Sequence, residues 1–354
     1  MVFRGRAFQV GRRGVGRVIR IAGAGLAGLF AALRLAEEGQ QVEVLEFKNR
    51  ITPSSGPHTE AVRNYLDGDA LQELGRYGFE LEPSGAIDTT IRRSPHYENV
   101  LRGRAYYLFL RGQESQTVDQ ELYRRCVEAG VSFTLRARWE PGISIDILAT
   151  GPPAEHCNIS GAGFTFSSKG SSLDEHTAYA LLDNDFAPGG YFVVTPGIDY
   201  HSLYSVSWQE FDYRRLLQMV VACVKQPFVR EILGSSRRIS SIRGKAYCAP
   251  NPVLTADLGG ILRIGEAGGF QDAIAGFGFR YAILTAATAV DAILSGKSYV
   301  ALLRNAFKDE FEAADRIRQK LNRFTNDDFD RLVESMGPSM TIADYRNHRA
   351  SRFL

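Results

Sequence analysis

Residues 18–46 read VIRIAGAGLAGLFAALRLAEEGQQVEVLE, and they decide the fold. Val18, Ile19, Ile21 and Ala22 form an apolar run that predicts a buried strand, and Leu29, Ala32, Leu33 and Leu35 supply the apolar face of a helix. Between them stands Gly23-Ala24-Gly25-Leu26-Ala27-Gly28. In a strand–turn–helix unit the first glycine permits the tight turn, the second lets a pyrophosphate approach the backbone, and the third lets helix and strand pack closely. The helix start then offers free N–H groups and a positive dipole end to the phosphates. Gly39 is expected to stop the helix, and a second strand, Val42 to Leu45, closes on Glu46. An acid there can accept hydrogen bonds from a ribose diol and suits an adenosine without a 2′-phosphate. The fold expected is therefore α/β and Rossmann-like, with a dinucleotide held at residues 23–28, Glu46 and Phe47.

The choice between NAD and FAD turns on residues 261–296, ILRIGEAGGFQDAIAGFGFRYAILTAATAVDAILSG. A strand from Ile261 to Ile264 runs into Gly265-Glu266-Ala267-Gly268-Gly269, and Gly276 and Gly278 flank Phe277 ahead of a long helix of small residues. Backbone must approach a ligand here a second time. A helix starting near Gly278 can aim its dipole at the pyrimidine edge of an isoalloxazine, where reduced flavin is negative. Glu266 can bind ribityl hydroxyls.

These residues resemble the flavoproteins of the p-hydroxybenzoate hydroxylase fold, and within them the geranylgeranyl reductase group. The resemblance covers the fingerprint at 18–46, a GDAAGFxxPxxGxG-like segment at 265–278, a PxGYxWxFP-like strand at Pro188 to Pro196, and the turn Ala149-Thr150-Gly151. It implies FAD as cofactor, with Thr150 and Gly151 near the adenosine, and a substrate wall formed by Tyr191, Val193, Thr195 and Pro196. Four positions depart from the pattern: Glu266 stands for Asp, Ala273 for Pro, Val193 for Trp and Thr195 for Phe. The last two remove aromatic bulk from that wall.

The segmentation expected is a basic arm over 1–17, a discontinuous FAD-binding domain over 18–85, 105–155 and 245–298, a substrate-binding β-sheet domain over 86–104 and 156–244, and a helical C-terminal region over 299–354. Within it, 60–77 is read as a helix ending at Gly78, and 116–129 as a helix with Leu122, Cys126 and Val127 on one face. Short β-rich runs between 160 and 210 predict an antiparallel sheet. The resemblance makes that sheet the wall of a cavity, to which Phe164, Phe166, Phe186, Tyr191, Phe192 and Tyr204 give an aromatic lining. Residues 297–335 read as a solvated helical cap.

A net charge of +2 and the absence of alternating basic and aromatic residues argue against nucleic acid. The four cysteines are scattered without metal-like spacing, so no metal site is expected and a reducing cytoplasm fits. The acid-free start, with six arginines in the first 20 residues, reads as a flexible arm, contact with an anionic membrane surface being the alternative. No hydrolase motif stands out, and no second glycine fingerprint forms a separate nicotinamide domain. The chemistry therefore belongs to the cofactor. The expected activity is FAD-dependent reduction of a C=C bond in a lipophilic, isoprenoid-type small molecule, with NAD(P)H or a protein donor as reductant. Tyr191 is the candidate pocket residue near that chemistry. Two other readings stand beside it: an FAD monooxygenase, and a flavoprotein that binds a lipid or partner without turnover. Oligomeric state is not legible in the sequence.

Overall fold

The computed structural model describes residues 17–53, 57–64, 68–307 and 310–348; residues 1–16 of the expected arm lie outside this range. Because Ile19, Ile21 and Ala22 are all buried, the strand Ile19–Ala22 takes an interior place in a six-stranded sheet. The order runs Asp257–Leu258, Ile261–Arg263, Ile147–Leu148, Ile19–Ala22, Val42–Glu46, Ser132–Leu135, with every pairing parallel except that of the first two. The helices Leu26–Glu37, Val118–Glu128 and Phe279–Ser295 pack together, the first against the other two. Leu29, Leu33 and Leu35 sink into one core with Leu122, Cys126, Ile283 and Leu284. Three neighbouring strands thus end at the same edge, at Ala22, Leu148 and Arg263. In parallel sheets ligands bind beyond such carboxyl ends.

A second, nine-stranded sheet stands beside this domain. Its order is Arg238–Ala246, Ile159–Ser167, Tyr200–Ser207, Tyr191–Thr195, Thr177–Leu181, Gly85–Arg93, Glu98–Arg111, Ser339–Thr341, with His58–Arg63 also pairing with Glu98–Arg111. The helices Tyr213–Val224 and Pro227–Leu233 cover one face. Among the described residues no helix is long and apolar enough to cross a membrane.

Several expectations are corrected. Residues 60–77 do not form one helix: His58–Arg63 is a strand paired with Tyr106–Arg111, and the helix is only Ala70–Arg76. Asp69 starts that helix, its side chain accepting the N–H groups of Leu71 and Gln72, and long-range pairing wins over the apolar pattern upstream. Val127 is 51% exposed, so the buried face of Val118–Glu128 is carried by Leu122 and Cys126 without it. The large sheet is mixed: Gly85–Arg93 runs parallel to Thr177–Leu181, and Ser339–Thr341 parallel to Val100–Arg102. The C-terminal region is helical over Tyr299–Phe307, Glu310–Leu321 and Asn326–Ser335, but adds that strand to the sheet. The long strand Glu98–Arg111 passes position 105 unbroken.

Candidate active site

The turns that follow the three strand ends touch. A Cβ on Gly23 would collide with the Ala149 carbonyl, one on Gly28 with the Gly23 carbonyl, and one on Gly265 would stand 3.2 Å from the Ala27 methyl. The first, second and third turns therefore close into one cradle, and Gly265 is tied to the long helix by its N–H donating to Thr285 Oγ1 at 2.9 Å. Gly25 and Gly151 differ from their neighbours: an added Cβ would meet nothing within 4 Å. The bare backbone at Gly25 serves no packing need of the chain; it leaves open space.

Two helix starts bear on that space. Leu26–Glu37 begins at Gly25 and Phe279–Ser295 at Gly278, neither with a side-chain cap nor an acid in the first turn. Five other helices are capped, by Asp69, Thr117, Asp212, Thr325 and Thr341, while the short helix Pro227–Leu233, remote from the cradle in the cover of the large sheet, also starts without a side-chain cap. Uncapped starts leave N–H groups and positive dipole ends for an anion.

Glu46 is buried and its oxygens accept the N–H groups of Ala24 at 2.8 Å and Lys48 at 2.9 Å. It thereby fixes the glycine turn to the second strand, each oxygen keeping one lone pair. Phe47 is 51% exposed and packs with the Lys48 and Arg138 side chains. Thr150 is exposed at the cradle's rim and Gly151 turns there with φ +78°. The Glu266 carbonyl accepts the Gly269 N–H, but its side-chain carboxyl has no hydrogen-bond or ion-pair partner among the described residues. Burial, reinforced by the Glu60 carboxylate, pushes its acid up to about 8. An orphaned acid between two open turns is a ready acceptor or donor for hydroxyl groups, so the cradle fits a dinucleotide bearing a polyol.

That carboxyl gives a pH-dependent prediction. An acid whose pKa rises on folding costs nothing while it is protonated in both states, and weakens the fold progressively as pH climbs from about 4.5 to about 8. Glu266→Gln is accordingly expected to melt with the wild-type apoprotein at pH 4 but above it at pH 9, a difference read directly by thermal unfolding at the two values.

Beside the cradle lies a charged group that the sequence reading missed. Arg111, at the end of its long strand, bonds Asp119 through two nitrogens at 2.8 Å and also pairs with Glu60. Thr117 caps the following helix and so holds Asp119 in its first turn.

The third turn, through residues 265–278, continues into an apolar slot in the large sheet. Ala275 and Phe277 line one side; Tyr191, Val193 and Thr195 line the sheet side, with Ala180 and Tyr204 beside them. Pro196 is buried outside this lining. Tyr191 does not offer a free hydroxyl, since it donates to the Ala275 carbonyl at 2.6 Å and so braces the turn. Phe164, Phe166, Phe186 and Phe192 do not line the slot either. They belong to the opposite face of the sheet, under its two helices, Phe164, Phe166 and Phe192 by strand alternation and Phe186 from the turn before Tyr191–Thr195. Arg318 locks the assembly: its guanidinium donates to the Ile274 and Gly189 carbonyls and lies over Trp208, 4.4 Å from the ring centroid.

A glycine cradle at the carboxyl edge of a parallel sheet, joined to a slot in a large mixed sheet, is the architecture of the p-hydroxybenzoate hydroxylase-type flavoproteins. Solved structures share it. A geranylgeranyl bacteriochlorophyll reductase-like protein of Thermoplasma acidophilum superposes with a TM-score of 0.73 at 17% identity over 92% of each chain. A flavoprotein/dehydrogenase from Cytophaga hutchinsonii gives 0.59 at 15%, over 95% of this chain and 92% of that one. The flavin-dependent brominase Bmp2 gives 0.57 at 14% over 84% of each. At these identities the likeness is one of fold. No protein-family model and no curated protein sequence matches the chain.

Proposed function

We propose that the protein is an FAD-dependent oxidoreductase that saturates a C=C bond of a lipophilic, isoprenoid-type small molecule. The observation that carries this reading is the shared wall: Ala275 and Phe277 belong both to the glycine segment 265–278 and to the apolar slot, so a ligand in the slot abuts the cofactor cradle. In the cradle, the uncapped helix start at Gly25 would take the pyrophosphate, Glu46 the ribose and Glu266 the ribityl chain. The helix start at Gly278 would face the flavin ring. FAD, when bound, supplies the electron pair as hydride, with NAD(P)H or a protein donor as its source. The chain's part is to orient the alkene, to exclude water with Ala180, Val193 and Phe277, and to deliver a proton.

The test is to purify the protein, release its cofactor and identify copurifying lipids by mass spectrometry. FAD together with a prenyl chain that gains two hydrogens under anaerobic turnover is the expected result. Oxygen uptake coupled to a hydroxylated product would move the assignment to a monooxygenase. Colourless protein that takes up no added FAD would overturn it.

A further inference from the structure

We propose that Tyr204 is the proton donor of this site and that its substrate is an alkene conjugated to a carbonyl group. This deepens the flavin reductase reading and rests on it. Tyr204 lines the slot, and its hydroxyl makes no hydrogen bond to any described residue. Its ring packs against the cluster of Trp208 and Ala273, and it shares the lining of the slot with Ala275 and Phe277 of the 265–278 segment. The other phenols are placed differently. Tyr191 has its proton committed to the Ala275 carbonyl. Tyr179 also borders the slot, but its ring packs against the core of the opposite sheet face, beside its strand partner Val194. Tyr106 rests its ring on Phe277, with centroids 5.8 Å apart.

The chemistry of a phenol then restricts the substrate. Among the described residues no carboxylic acid lines the slot. Saturating an isolated alkene requires a strong acid, because a carbocation must form before hydride can add. Conjugation to a carbonyl reverses the order, since hydride addition leaves an enolate that a weak acid can protonate. Burial and the nearby Glu60 carboxylate both hold the Tyr204 phenol in its protonated form, raising it to about 12, which suits an enolate and not an alkene. In the step, the β-carbon takes the hydride supplied by the reduced flavin and the C=C π bond breaks. The Tyr204 O–H bond breaks as a C–H bond forms at the α-carbon. The O–H electron pair stays on the phenolate, which water reprotonates, and a nicotinamide or protein donor restores the flavin.

Citral tests this, because it carries one conjugated and one isolated C=C bond in a single prenyl chain; geraniol, which lacks the carbonyl, is the control. Dithionite-reduced holoenzyme is mixed with each in deuterated buffer without oxygen. Citral is expected to reoxidise the flavin with loss of the conjugated bond alone and deuterium on one face of the α-carbon, while geraniol leaves the flavin reduced. Tyr204→Phe should keep its flavin content and citral affinity, lose about 100-fold in rate, and place deuterium on both faces. A wild-type rate with single-face labelling in that variant, or the same signature arising from Tyr106→Phe instead, would overturn the assignment. Reoxidation by geraniol and not by citral would overturn the substrate class with the flavin reading intact. Failure to take up FAD would instead remove the reading beneath it.

Discussion

Gly25→Val is expected to abolish FAD uptake while the protein still folds, and Gly28→Ala to do the reverse damage first. The argument rests on what surrounds each position. Gly25 lies at φ −81° and ψ −176°, in the extended region that β-branched residues adopt freely, and an added Cβ meets no protein atom within 4 Å. Valine there should cost about 1 kcal/mol as a poor N-cap, too little to unfold a domain of this size. Its methyl groups would, however, fill the space before the helix start, where N–H groups are left for phosphate. Gly28 has no such freedom: its Cβ would strike the Gly23 carbonyl, which is backbone and cannot rotate away. Helix and strand would have to separate, at a cost of roughly 1–3 kcal/mol or more. Thermal unfolding and flavin absorbance, measured on both variants, separate the two roles. Normal flavin occupancy in Gly25→Val would show that the open space at the first turn is not where the cofactor lies.

The same contrast explains what the sequence could and could not reveal. The nucleotide unit was legible because its glycines, strand and helix are contiguous, and each glycine answers a local geometric need. The meeting of residues 23–28 with 149–151 and 265 was legible only as a resemblance, since contacts between segments more than 100 residues apart leave no local pattern. The strand His58–Arg63 was misread for that reason. Thr59 and Val62 are its buried residues, a spacing of three that also suits a helix, and only the partner strand near Leu110 decides between them. The aromatic lining failed on strand parity. Phe164, Phe166 and Phe192 look like pocket residues by composition, but one register step sends them to the face covered by helices. Arg111, Glu60 and Asp119 were invisible because a buried ion triad is assembled from a strand, its neighbour and the next helix. None of the three is unusual where it stands in the chain.

Register also fixes the second large effect, in the slot. Arg92 pairs with Ala180, Ala180 with Val193 and Val193 with Tyr204, so four slot-lining residues form one row across four strands. Three interstrand steps make the row roughly 14 Å long, and its two middle members are small. Neighbouring side chains in such a row have Cβ atoms about 5 Å apart, so an indole at 193 must lie over Ala180 or against Tyr204. Val193→Trp is therefore expected to shorten the slot. In the free protein the ring fills open space, so thermal stability should hold or rise. A branched long-chain ligand must either lose its place or force the wall, at a cost of about 2–3 kcal/mol, which is a loss of roughly 30- to 150-fold in affinity. A short prenyl ligand that stops before residue 193 should bind as before. Titrating geraniol and geranylgeraniol into each holoprotein and following the flavin spectrum reads both affinities. Equal weakening of the two would place residue 193 within the span that even the short chain fills, and weakening of neither would place it outside the path of the chain, shifting the slot's axis toward Leu108 and Ala61 on other strands of the same sheet.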